Sequence, residues 1–302
     1  NKTKLQTAKT YMKKFCFLLL LFTQSVYGQN NPYDSLEHQL QIAKTETQKL
    51  EILNQLVAVA FSNDIGKALE YAKQGVAIAD KTGDKNWQPK FYEMEGRMHA
   101  NLLHLDSASL FFDKAMAGYL AINDVNGQAT TAFKMAWVFK KKGEFEKALE
   151  KDLFALKLME AAGNKQKICD ALTRISDDLT RQNRLKEALD YARKSIEMAE
   201  KNNLTSELFS VNFNAGNVAI AAKEYQASLD YYNKAMEIAK EQEMGLSSIA
   251  DITISRGNAL KRLGRYNEAL QEYQSALSIA KKANYGNAIS VAIANLGETN
   301  ML

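Results

Sequence analysis

Apolar and small residues recur along this chain at helical spacing, and their register returns about every forty residues. The stretch 257–276, GNALKRLGRYNEALQEYQSA, shows the pattern most completely. In six windows a small residue marks the start of a second helix, at Ala68, Ala108, Ala148, Ala188, Ser228 and Ala269, with separations of 40, 40, 40, 40 and 41 residues. Seven residues further on stands another small residue: Gly75, Ala115, Ala155, Ser195, Ala235 and Ala276. That spacing puts both on one helical stripe, where small side chains let neighbouring helices approach. Twelve residues before the marker, Gly96, Ala136, Ser176, Gly216 and Gly257 repeat the theme, and Leu56 departs from it. A glycine inside a helix costs about 1 kcal/mol relative to alanine, so its return at one register implies a close contact that needs it.

Five residues before the marker the chain must turn. Asn63, Gly143, Asn183 and Gly264 suit the left-handed conformation that ends a helix, whereas Leu103 and Lys223 are exceptions. Two residues later an apolar side chain re-enters the core, at Ile65, Leu105, Phe145, Leu185, Tyr225 and Tyr266. Between windows, Gly83, Gly163, Asn202, Asn203, Gly245 and Asn284 supply breaks. Each unit is therefore two helices of about 15 to 18 residues, each near 25 Å long. Neither helix can bury its apolar face alone, so the units must stack. Ahead of them, Asp34 and Glu37 form an expected capping box for a helix running to Lys44, with Leu36, Leu40 and Ala43 on one face to cover the open end of the array. A seventh unit begins at Tyr285 with Asn295, Leu296 and Gly297 in register, and its second helix would lie beyond Leu302. The expected organisation is an export segment over 1–28, a linker and capping helix over 29–45, and a repeat array over 46–302, itself part of a longer protein.

Composition agrees with a folded helical body: 46% of residues are hydrophobic, 25% are charged, and only two prolines interrupt the pattern. The formal charge of +4 is concentrated at one end, because residues 1–28 hold five lysines and no acid, which leaves 4 − 5 = −1 for the rest. A nearly neutral body offers no electrostatic footprint for a phosphate backbone, so no nucleic-acid partner is expected. The end itself has the form of an export signal: Lys13 and Lys14, an apolar run over 15–22, then Val26, Tyr27 and Gly28. The alternative is an N-terminal helix tucked onto the array. Eight apolar residues are too few to span a bilayer, which takes about 20. With Cys16 inside that segment, Cys169 stands alone in the body, cannot form an internal bridge and is expected to be a packed side chain.

A search for chemistry returns little. His38, His99 and His104 are the only histidines, and no metal-ligand spacing, glycine-rich phosphate loop or nucleophile elbow is present. Asp177 and Asp178 are adjacent and so point apart on a helix. No catalytic residue, metal or cofactor is expected.

The succession of glycine or alanine, turn, aromatic or aliphatic residue, and then small-x-x-x-aromatic-x-x-small resembles the tetratricopeptide repeat, most clearly in GNALKRLGRYNEALQEYQSA and AWVFKKKGEFEKALEKDLFA. The departures are a unit of 40 rather than about 34 residues and the missing terminal proline. The resemblance implies an all-α, right-handed α-solenoid whose first helices line a concave face holding an extended peptide or partner helix. By register it sends Arg97, Phe133, Trp137, Lys140, Asp177, Arg181, Phe213, Asn217, Asn258 and Lys261 toward that groove. Phe133, Trp137 and Phe213 are equally readable as core between units. The carboxylate-clamp variant of the family is matched by Asn217 and Asn258 but lacks the lysine one turn earlier, where Phe213 and Ile254 stand. The longer unit is similar to that of peptide-sensing signalling proteins. The implied role is the extracytoplasmic sensory input of a bacterial membrane regulator, anchored beyond Leu302; the alternative is a free periplasmic or surface adaptor.

Overall fold

The structure is a computed structural model that describes residues 33–302. The expected export signal lies outside the described residues. Among the described residues every regular element is helical: α1 (Asp34–Ile42), α2 (Glu46–Asn63), α3 (Ile65–Thr82), α4 (Trp87–Asn101), α5 (Leu105–Ala121), α6 (Val125–Lys141), α7 (Phe145–Ala161), α8 (Lys165–Arg181), α9 (Leu185–Lys201), α10 (Thr205–Ala221), α11 (Tyr225–Glu241), α12 (Leu246–Arg262), α13 (Tyr266–Lys282) and α14 (Gly286–Thr299). The protein is an all-α helical-repeat solenoid. None of these helices is long and apolar enough to cross a membrane.

Contacts divide the chain at Trp87 and Gln88 into two units. In the first, Leu50, Leu53, Leu56, Val57 and Ala60 of α2 meet Ala68, Tyr71 and Ala72 of α3, all of them buried. α1 has no buried residue and no capping box. Its N-cap is Tyr33, because Asp34 already lies inside the first turn, and Glu37 instead accepts hydrogen bonds from Lys67 Nζ at 3.0 Å and from the Tyr71 hydroxyl. The capping box stands one helix later, where Thr45 Oγ1 accepts from Gln48 N at 3.2 Å and Gln48 Oε1 accepts from Thr45 N at 3.2 Å.

In the second unit the repeating contact is a ring set into a gap. At three of the markers the position twelve residues before faces the residue four after. A Cβ built on Gly216 would lie 2.4 Å from Tyr232, and one on Gly257 would lie 2.5 Å from Tyr273. Both tyrosines are buried, and their hydroxyls donate to Asn217 Oδ1 at 2.7 Å and Asn258 Oδ1 at 2.8 Å. Gly96 receives Phe112 in the same way. Where the second helix carries no ring, at Ala72, Asp152 or Ala192, the first helix carries Leu56, Ala136 or Ser176. Leu56, the departure from the small-residue register, is buried on α2, and the corresponding position of α3 is the small, buried Ala72.

The turns differ from expectation at four positions. Leu103 and Lys223, the sequence exceptions, adopt φ of +59° and +63°, in line with Gly143, Asn183 and Gly264. The backbone register of the hairpin, with for example Glu224 N donating to Ala219 O at 2.9 Å, outweighs the cost of about 1 kcal/mol for a side chain in that conformation. Asn63, by contrast, stays helical, and Asp64 caps α3 with its carboxylate on Lys67 N. Between repeats, the break near Gly245 is made by Glu243 at φ +51°, and Gly245 itself is extended.

Candidate functional site

The first helices of successive repeats in the second unit, α4, α6, α8, α10 and α12, carry the ten residues singled out by register. A cleft of about 280 Å³ opens among α4, α6 and α8, with Ala100 and the buried Phe112 at its floor and Arg97, Asn101, Phe133, Lys134, Trp137 and Arg174 around it. Three of the ten, Arg97, Phe133 and Trp137, are thus brought together. Phe133 and Trp137 are half-buried: each backs onto a hydrophobic cluster and presents the rest of its ring to the cleft. Each ring therefore packs on the core and also lines the cleft.

Cations surround the rings. The Arg174 guanidinium sits 5.0 Å from the Phe133 centroid, and Lys141 Nζ sits 5.2 Å from that of Trp137. Lys134 pairs with Glu93. Partial burial holds the Arg97 guanidinium below its ordinary pKa, against the opposing pull of Glu93. Lys134 and Arg174 escape a search by a single stripe because they occupy the neighbouring register, forty residues apart. That matched spacing is the signal that could have found them.

Lys140 has a different place. Its ammonium is held between two buried carboxylates, Asp152 Oδ2 at 3.0 Å and Asp178 Oδ1 at 2.7 Å, so it is engaged inside the stack instead of standing in the groove. Burial pushes the Asp152 carboxyl up to about 7, with Lys140 opposing and Asp178 adding to the shift. Asp177 and Asp178 do point apart. Asp177 accepts from Asn214 Nδ2 at 2.7 Å, and burial raises its carboxyl above the ordinary range against Arg181 and Lys140.

The remaining residues lie further along the row. Phe213 stacks on Phe209 at 5.9 Å and tilts onto Tyr232, which makes it a core ring. Asn217 and Asn258 accept the tyrosine hydroxyls already described, so a clamp built on them would have to displace those bonds. Asn258 also accepts from Asn295 at 3.3 Å, and Lys261 pairs with Glu298 at 3.0 Å, so both are engaged by α14. The histidines show what adjacency in sequence cannot: His104 caps α5 after a tight turn, which returns its ring to within 5.8 Å of His99. Among the described residues no cluster of His, Cys, Asp or Glu could hold a metal ion. Cys169 is buried, its thiol pushed up to about 11 by that burial.

Stacked helical hairpins with a lined face define a helical-repeat scaffold. Residues 168–203 and 207–282 match family models of the tetratricopeptide repeat, and over those residues the chain carries tetratricopeptide repeats. Among solved structures, it is similar to the apo form of RapI, at 18% identity over 87% of this chain and 70% of that one, with a TM-score of 0.65. It is also similar to a Rap protein complexed with Competence and Sporulation Factor, at 12% identity over 89% of this chain and 79% of that one, with a TM-score of 0.58. A Signal Transduction ATPase with Numerous Domains from Pyrococcus horikoshii, which has a tetratricopeptide repeat sensor, aligns at 15% identity over 88% of this chain and 40% of that one, with a TM-score of 0.71. At these identities the likeness carries the fold alone. No curated protein shows significant sequence similarity to the chain.

Proposed function

We propose that this protein is a non-catalytic scaffold that binds a peptide or protein segment along its first helices, and that it serves as the extracytoplasmic sensory input of a membrane signalling protein. The observation that carries the binding reading is the cleft among α4, α6 and α8, where two half-buried aromatic rings stand beside cationic side chains. Aromatic and arginine side chains in such settings supply most of the energy of interfaces. A Rap protein of the same fold is recorded in complex with Competence and Sporulation Factor, and a P. horikoshii protein uses such repeats as a sensor; both support the reading by analogy. The export segment expected over 1–28 supports the compartment.

Selection of random displayed peptides on the full chain tests the binding reading. Recovered peptides should lose affinity for Trp137→Ala at a temperature where its far-UV circular dichroism spectrum shows the array still folded. If Trp137→Ala unfolds the array and leaves binding intact, the ring is core only. The compartment is tested separately: the N-terminal sequence of protein from an expressing bacterium should begin close to residue 29, and a mature chain retaining Lys13 and Lys14 in the cytosolic fraction would refute export.

A further inference from the structure

We infer that Lys140, Asp152 and Asp178 form a pH-sensitive latch on the cleft: with Asp152 protonated the three side chains draw α6 against α8, and with Asp152 ionised they let the two helices part. Such a latch would regulate the proposed peptide cleft, so it rests on that reading for its purpose but not for its geometry. Phe133, Trp137 and Lys140 stand four and three residues apart and share one stripe of α6. Arg174 and Asp178 are one turn apart on α8. Two bridges therefore join the same pair of helices. In the cleft the Arg174 guanidinium lies 5.0 Å from the Phe133 centroid, and further along both helices Lys140 Nζ meets Asp178 Oδ1 at 2.7 Å. Asp152 enters from α7, with its Oδ2 3.0 Å from the same ammonium. Close-packed helices transmit small displacements instead of absorbing them, so a change at the second bridge is felt at the first.

Charge supplies the driving force. Asp152 and Asp178 are almost completely removed from solvent, and beyond Lys140 one oxygen of each, Oδ1 and Oδ2 respectively, has no hydrogen-bond partner. The charged groups that face Asp152 are Lys140 of α6 and Asp178 of α8. Next to Asp178 on α8 stand Asp177 and Arg181, and Asn214 of α10 donates to Asp177. Burial pushes the Asp152 carboxyl up to about 7. Below that pH the protonated Asp152 donates to Asp178, and one negative charge stands against one ammonium. Above it two carboxylates face a single ammonium in a medium that solvates the excess charge poorly. Relief comes from water entering beside the unpartnered oxygens, and the room for it is made by moving α6 from α8, the helices that wall the cleft.

The test reads the cleft through Trp137 and needs no ligand. The chain has two tryptophans, so Trp87→Phe leaves Trp137 as the sole emitter, and acrylamide quenching of its fluorescence on the full chain reports access to the cleft. Quenching should rise between about pH 6 and about pH 8, with its midpoint near 7, while the far-UV circular dichroism remains that of the folded array. In the same background Asp152→Asn supplies a permanent neutral donor and should hold quenching at its acid level throughout. Asp178→Asn, which leaves one carboxylate to one ammonium, should flatten the profile as well. Quenching that is flat in the parent overturns the latch and leaves the peptide-binding reading standing, since a rigid cleft can still bind. A rise that survives in Asp152→Asn belongs to other titrating groups, such as His99 and His104 of the neighbouring hairpin, and also overturns the latch. If the profile is as expected and no displayed peptide is recovered, the latch stands and the binding reading falls.

Discussion

Replacing Asp152 by asparagine should make the protein more stable at pH 8 and flatten its pH dependence. Asp152 and Asp178 are almost completely removed from solvent, and they share the single ammonium of Lys140 at 3.0 and 2.7 Å. Beyond that ion pair, Oδ1 of Asp152 and Oδ2 of Asp178 have no hydrogen-bond partner. With both carboxyls ionised the triad carries a net charge of −1 in a medium that solvates it poorly. The folded protein responds by holding a proton, so the Asp152 pKa rises from 3.8 to about 7. An acid with a raised folded pKa binds more protons folded than unfolded between about pH 4 and pH 7. Stability from this group is therefore greatest at acid pH and is lost as pH rises through about 7. Three pKa units at 1.36 kcal/mol each set an upper scale of about 4 kcal/mol for the loss. The side-chain amide introduced by Asp152→Asn would supply the neutral donor permanently. The assay is thermal unfolding followed by circular dichroism from pH 5 to pH 8, read as the difference between parent and variant, which cancels titrations elsewhere. Parent and Asp152→Asn curves that run parallel across that range would refute the shared-proton argument. Lys140→Met serves as the counter-test: removing the only cation from two buried carboxylates should destabilise strongly, by about 3–5 kcal/mol at pH 8, and less at pH 5.

Gly257→Leu should cost on the order of 1 to 3 kcal/mol by driving a side chain into Tyr273, whereas Gly245→Ala, whose Cβ meets nothing within 4 Å, should be close to neutral; equal thermal shifts would contradict the ring-in-gap packing. Thr45→Ala should cost about 1 kcal/mol in urea unfolding through loss of the capping box, and Asp34→Ala should cost little; the reverse order would restore the box to Asp34 and Glu37. The Cys169 thiol, buried and donating to Ser195 O at 3.3 Å, should react with a disulfide reagent at pH 8 at least about a hundredfold more slowly in the native protein than in denaturant, and fast native labelling would place it in an open segment.

The sequence by itself determined the helical repeat and its forty-residue register, because small residues, turns and apolar re-entry points must recur wherever identical hairpins stack. It also exposed the row of first-helix positions, including Arg97, Phe133 and Trp137, since one register step carries each onto the next helix. Only the tertiary structure decided which of those positions are open. Lys140 became an internal counter-ion because Asp152 and Asp178 arrive from two other helices, and no spacing along one helix reveals that. Asn217 and Asn258 were claimed by tyrosines fifteen residues away, and Arg174 entered the cleft from the next repeat. Leu103 and Lys223 turned left-handed against their own preference because the hairpin's hydrogen bonds and packing exceed that preference. Periodicity is a local property of the chain, legible in one dimension; partner choice depends on which side chains meet across helices, and that is fixed only when the helices pack.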